Sequence, residues 1–246
     1  MNHKTAYYAL GVLFLINALN FFDRQIIGAV GEPIRKEFGL GDSALGALNT
    51  AFTLIYAFIG LPLGRLADKY SRKKILAIGV FFWSLMTAAS GIARNFWQIF
   101  AMRLGVGIGE ATCAPAATSL IGDYFPAEKR AKAMSIFMLG LPVGLALSFA
   151  VSGWVAKNYG WRTAFLVAGL PGLLCVLLVL LIKEPQRGAV ETVNVGQQKR
   201  EGSPYKLILS SPTMIWLILS GALHNFNMYA LGSFITPYLM RHHNLD

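Results

Sequence analysis

Four charged side chains, Asp23, Arg24, Arg103 and Glu110, lie inside stretches long and apolar enough to cross a bilayer. Two are acids and two are arginines, so their charges cancel. One charge at bilayer depth costs about 2.5–3.5 kcal/mol on insertion scales, and a chain keeps four only where they pair or line water. Two chemistries fit. One is structural pairing between packed helices. The other is a polar cavity in which a carboxylate loads and releases a proton. An acid removed from water holds its proton tightly and a neighbouring guanidinium loosens it, so an arginine that changes partner acts as a switch. An anionic substrate that draws Arg24 away would change the protonation of Asp23 or Glu110. These two acids are the candidate proton-coupling residues.

At about 100° per residue, Asn17, Asn20 and Arg24 share one face of the first stretch, with Asp23 at its edge. Leu15, Leu19 and Ile26 take the opposite side. In the fourth stretch Arg103, Gly107, Glu110 and Ala114 form one stripe, and Gly105, Gly107 and Gly109 are read as removing bulk beside the carboxylate.

The elements that must hold these residues are membrane helices. The 246 residues are 55% hydrophobic and only 14% charged, with a mean hydropathy of +0.51; a soluble domain carries about 25% charged residues. Seven segments have the length of a span: Tyr7–Val30, Ser43–Leu66, Ile75–Ala93, Phe96–Tyr124, Ala131–Val155, Thr163–Ile182 and Thr213–Met240. Helices follow because lipid offers no partner to an open strand edge. The N-terminal apolar run lacks a small-x-small cleavage site and is read as an uncleaved first span.

With the N-terminus in the cytoplasm, most of the 22 lysines and arginines fall on that side. They cluster after span two (Arg65, Lys69, Arg72, Lys73, Lys74), after span four (Lys129, Arg130, Lys132) and after span six (Lys183, Arg187, Lys199, Arg200, Lys206). This asymmetry sets the orientation. It also accounts for the net charge of +10 without nucleic acid, since the basic residues face an anionic leaflet. Cys113 and Cys175 sit in apolar runs, with no disulfide or metal spacing. No HExxH or GxSxG occurs, and the GxGxG at 105–109 lies in a span rather than after a strand. No enzyme, metal or cofactor is expected. A channel or receptor is the remaining rival class.

"GRLADKYSRKKIL" (64–76) lines up with "GWVAKNYGWRTAF" (153–165), matching Gly64 with Gly153, Ala67 with Ala156 and Tyr70 with Tyr159. Spans one to three (about 7–93) then correspond to spans four to six (about 96–182). Three is odd, so the second unit lies inverted, an architecture that puts a transporter's site near the midplane. A weaker match sets residues 222–239 against 17–34, with Asn227 opposite Asp23. Residues 1–183 are thus a six-span bundle, 184–211 a polar cytoplasmic linker and 212–246 the first span of a second, incomplete bundle. In the loop after span two, Gly64 is read as permitting close helix approach. Asp68 is read as capping a helix N-terminus or pairing with Arg72.

Gly64, Asp68, Arg72 and Lys73 resemble the loop signature of the major facilitator superfamily, and "RLGVGIG" (103–109) is similar to its span-four motif. "NFFDRQI", "FGLGDSALG", "GEAT", "DYFPAEKRAKAMS" and "YGWRTAFLVAGLPG" resemble its spinster branch, over about Asn17–Pro185. The resemblance implies an all-α, twelve-span, two-bundle fold that works by alternating access, monomeric when full length. The present chain carries seven of those spans. It also implies amphipathic, anionic, lipid-like substrates such as lysophospholipids or sphingolipids, exchanged against protons across a bacterial inner membrane. Small organic anions are the alternative substrate class. Carried over by position, Asp23 and Glu110 are proton sites, Arg24 a headgroup contact, and Arg103 a support for Glu110 or Asp23. Asn20 and Asn227 complete the substrate-binding set, and Gly64, Asp68 and Arg72 form a cytoplasmic gate. "GLPVG" (140–144) only partly matches the glycine-proline motif of antiporters, which leaves symport and antiport both open.

Overall fold

The computed structural model describes residues 3–190 and 208–243, and these are helical with no strand among them. The order is α1 (His3–Phe38), α2 (Asp42–Lys69), α3 (Arg72–Ser90), α4 (Phe96–Glu110), α5 (Cys113–Tyr124), α6 (Ala127–Met138), α7 (Gly140–Leu147), a π-helical turn (Ser148–Ser152), α8 (Gly153–Tyr159), α9 (Trp161–Leu181) and α10 (Pro212–His242). The part of the expected linker at 191–207 lies outside the described residues.

Among the described residues, six helical stretches are long and apolar enough to span a membrane. They are α1, α2, α3, α4 with α5, α6 through α8, and α9. The expected seventh, α10, has the length but is not among them. His224, Asn225 and Asn227 interrupt its apolar run.

Two predicted spans are broken helices. Span four breaks at Ala111–Thr112, directly after Glu110. Pro115 explains this: its ring opposes the carbonyl four residues back and it has no N–H to give. Span five contains the π-helical turn, where Ser148 donates to the Phe22 carbonyl of α1 at 2.8 Å. Local repacking of this kind accompanies π-turns.

The glycines of span four serve packing rather than space beside Glu110, a correction to the sequence reading. A Cβ on Gly109 would lie 2.8 Å from the Trp83 Cβ of α3, and one on Gly105 would lie 2.7 Å from Met86 Cγ. They let α3 press onto α4, bringing Thr87 within reach of α1. Gly64 does the reverse of what was expected. A Cβ there would find only Pro115 Cβ, at 4.0 Å, so this glycine marks no close approach.

Two apolar clusters form the core, one around Leu13, Trp83 and Leu120, the other around Ile26, Ile34 and Phe165. Of the wheel's opposite face of α1, Ile26 is fully buried in the second cluster, whereas Leu15 is exposed. One end of the bundle carries Arg72, Asp123 and Glu184. The other carries Glu32, Glu37, Arg162 and Arg241.

Candidate functional site

Asp23 and Arg24 sit midway along α1, and Arg103 and Glu110 two turns apart on α4. Arg24 donates from Nε to Glu110 Oε2 at 2.9 Å and from Nη1 to the Tyr229 hydroxyl of α10 at 3.2 Å. Its guanidinium lies over the rings of Tyr56 (4.3 Å), Phe21 (4.9 Å) and Phe52 (5.6 Å). An aromatic wall of this kind favours a weakly hydrated cation. Arg103 donates from Nη1 to the Asp23 backbone carbonyl at 3.1 Å and lies 5.1 Å from the Phe52 ring. Thr87 of α3 donates to Asp23 Oδ2 at 3.2 Å.

The structure thus brings Asp23, Arg24, Arg103 and Glu110 into one buried constellation at the meeting of α1, α2, α3, α4 and α10. Arg103 and Glu110 are fully buried and Asp23 nearly so. The expected support by Arg103 is made to the Asp23 main chain, not to a carboxylate.

Several buried polar atoms here have no hydrogen-bond partner in the described chain: Asp23 Oδ1, Glu110 Oε1, Arg103 Nε and Nη2, and Asn20 Nδ2. Buried polar groups are normally paired. The spare acceptors are carboxylate oxygens, which can take a proton. The spare donors suit an anionic or polar ligand. A groove of about 630 Å³ lies elsewhere, between α1, α8 and α10, and is lined by Ala29, Pro33, Phe149, Trp154 and Leu239 among others. None of the four buried charges lines it.

Other placements correct the sequence reading. Asn17 does not join Arg24; its Nδ2 donates to the Phe137 carbonyl at 2.8 Å and ties α1 to α6. Asn227 is exposed. Tyr229, two residues on, takes the place expected of it, because two residues turn a helix by about 200°. Asp68 is exposed and pairs with neither Arg72 nor the start of α3. Ser71 is the cap, accepting from the Lys74 amide at 3.3 Å. Arg72 pairs with Asp123, with Glu184 Oε1 at 3.2 Å and with the Pro185 carbonyl at 2.8 Å. Sequence reading missed Tyr56, Thr87 and Tyr229, since an aromatic or a threonine in an apolar span carries no signal of its own.

A bundle of membrane-length helices, with its buried charges gathered and balanced where its first and fourth spans meet, defines a membrane transport fold. The chain belongs to the Major Facilitator Superfamily, whose family model matches residues 13–246. It is 34% identical to Protein spinster homolog 1 of Xenopus laevis, over 98% of this chain and 47% of that one. It is 33% identical to the Sphingosine-1-phosphate transporter SPNS2 of Danio rerio, over 97% of this chain and 48% of that one. Its fold matches the crystal structure of a bacterial homologue of the human lysosomal transporter Spinster, in an inward-facing and unoccupied conformation. That match has a TM-score of 0.86 at 34% identity and covers 100% of this chain and 58% of that one. The chain spans about half the length of the curated relatives it matches.

Proposed function

We propose that the chain supplies the first bundle, and the first helix of the second, of a proton-coupled secondary transporter for amphipathic, anionic, lipid-like molecules. The observation that carries this is the Arg24–Glu110 pair, 2.9 Å apart beside Asp23, with a spare acceptor on each acid. In this reading a substrate's anionic headgroup competes with Glu110 for Arg24, and the released carboxylate takes a proton. Asp23, held by Thr87, is the second proton site. Arg103 and Asn20 offer further donors to the headgroup. The similarity to a protein named as a sphingosine-1-phosphate transporter supports the lipid class. Small organic anions are the alternative.

The basic clusters at the Arg72 end support an N-terminus in the cytoplasm, here of a bacterial inner membrane, with the full-length transporter monomeric. Arg72 and its partners then tie the spans of the first bundle to one another at the cytoplasmic end, and Gly64 and Asp68 of the same loop stay beside that tie rather than in it. The match to an inward-facing structure supports a state open toward that end.

The complete protein in proteoliposomes, under an imposed pH gradient, tests the proton sites. Asp23→Asn and Glu110→Gln should each lower coupled substrate flux by about tenfold or more. If both carry flux like the parent, the proton assignment is wrong. Arg24→Ala should lose any preference for anionic over zwitterionic lysolipids. A small carboxylate that moves where lysolipids do not would select the alternative class.

A further inference from the structure

Tyr229, Ser233, Pro237 and Arg241 of α10 are spaced by four and form one stripe. In a helix this spacing puts side chains one above another. Tyr229 meets Arg24. Ser233 accepts from Asn49 Nδ2 of α2 at 2.7 Å. Arg241 spans two helices at once. It binds Asp42, the first residue of α2, through two bonds of 3.0 and 2.8 Å, and it reaches Glu32 of α1 at 2.8 Å. Glu32 is buried and also holds Arg35 through two bonds. Between these contacts the backbones nearly touch: a Cβ on Gly28 of α1 would run into the Gly232 carbonyl of α10. The contact is one-sided. Every residue from 212 to 227 is exposed in the described chain, whereas Ser233 and Pro237 are buried. So α10 leans on α1 and α2 at the Glu32 end and stands clear of them toward the Arg72 end.

We infer that this stripe is a latch. Arg241, clamped on Glu32 and Asp42, holds the two bundles together at the Glu32 end, and Tyr229 links that closure to Arg24. Opening this end requires Arg241 to leave both acids and Asn49 to leave Ser233. The same movement draws Tyr229 off Arg24 and so frees the guanidinium's second donor at the buried site. The inference rests on the transport reading for its meaning, but the closure itself is a geometric claim.

The test uses the complete protein in right-side-out vesicles, in a Cys113→Ala/Cys175→Ala background. Gly46→Cys on α2 is the reporter, because a Cβ there lies 3.5 Å from Phe234 of α10, under the latch. Arg241→Gln should speed labelling of the reporter by an impermeant maleimide by about three- to tenfold. Arg241→Lys, which keeps the charge but loses the two-pronged grip, should fall between. Labelling of Arg241→Gln at the parent rate would overturn the latch. As a second route, Asn49→Cys with Ser233→Cys should form a disulfide that stops transport until it is reduced. Equal flux in the oxidised and reduced states would also overturn it. Labelling needs neither substrate nor proton. A latch that responds while Asp23→Asn and Glu110→Gln transport normally would leave the latch standing and the proton reading fallen.

Discussion

Arg72 begins α3 at one end of the bundle, and Arg162 stands at the start of α9 at the other. These helices are the third members of the two repeats. Each guanidinium takes a carboxylate from the end of the other repeat's first span. For Arg72 this is Asp123, and for Arg162 it is Glu37, with bonds of 2.8 and 2.6 Å. Each also takes a main-chain carbonyl just beyond the other repeat's third helix: Pro185 at 2.8 Å for Arg72 and Ala93 at 3.1 Å for Arg162. The inverted repeat therefore extends to the way its corners are tied. The corners differ in water. The side chains of Arg72 and Asp123 are 2% and 13% exposed, those of Arg162 and Glu37 40% and 43%. The Arg72 corner also has an extra acid, Glu184, bonded to the Ser71 hydroxyl and to the Arg72 amide at 2.7 Å.

Burial decides what each arginine is worth. Arg72→Ala would leave Asp123 and Glu184 without their cation in a site largely closed to water. Removing one partner of a buried pair costs about 3–5 kcal/mol. The variant should be the most destabilising of this set, read as a lowered unfolding midpoint in detergent. Arg72→Lys should recover part of the loss, since a lysine cannot serve two carboxylates and a carbonyl in one plane. Parent-like stability in Arg72→Ala would mean that the corner is no more than a solvated ion pair.

Glu184 offers a finer test of the same corner. Burial pushes its carboxyl up, but the bonds from Ser71 and from the Arg72 amide and guanidinium outweigh this and hold it below the ordinary 4.5. A folded-state value below the unfolded one adds stability that is fully present above the unfolded value. That stability is lost as pH falls through the folded value. Between about pH 6 and about pH 3 the parent should therefore lose more stability than Glu184→Gln does. Parallel losses in the two proteins would remove Glu184 from the corner's energetics.

How much of this could be read from the sequence depends on which signals are local. The six apolar spans and the buried charges were legible because a charge in an apolar run stands out wherever it folds. Arg72 was legible as part of a loop motif, yet its partners were not. Asp68, four residues away, is the nearest acid in sequence, but it ends on the exposed side of α2's last turn. Asp123 and Glu184 come from distant spans and reach Arg72 only through tertiary packing. Tyr229 was hidden for a related reason. Aligning residues 222–239 with 17–34 set Asn227 opposite Asp23, and a step of two residues on a helix reverses the face. The Arg241 clamp was hidden because Glu32, Asp42 and Arg241 each look like ordinary residues at the end of a span.

At the Arg162 corner the charge should matter least. Both partners of the ion pair are well exposed, and exposed pairs contribute about 0–1 kcal/mol after solvent screening. Trp161 takes over the buried part of the role. Its indole is almost fully enclosed and donates from Nε1 to Glu37 Oε2 at 2.7 Å, and Arg162 lies over its face at 4.2 Å. Glu37 thus keeps a hydrogen bond when the guanidinium is removed. Arg162→Ala should shift the unfolding midpoint only slightly, and most of that shift should vanish in high salt. A loss as large as that of Arg72→Ala would show that the two corners are equivalent in energy as well as in topology, and that exposure is a poor guide to what each arginine holds.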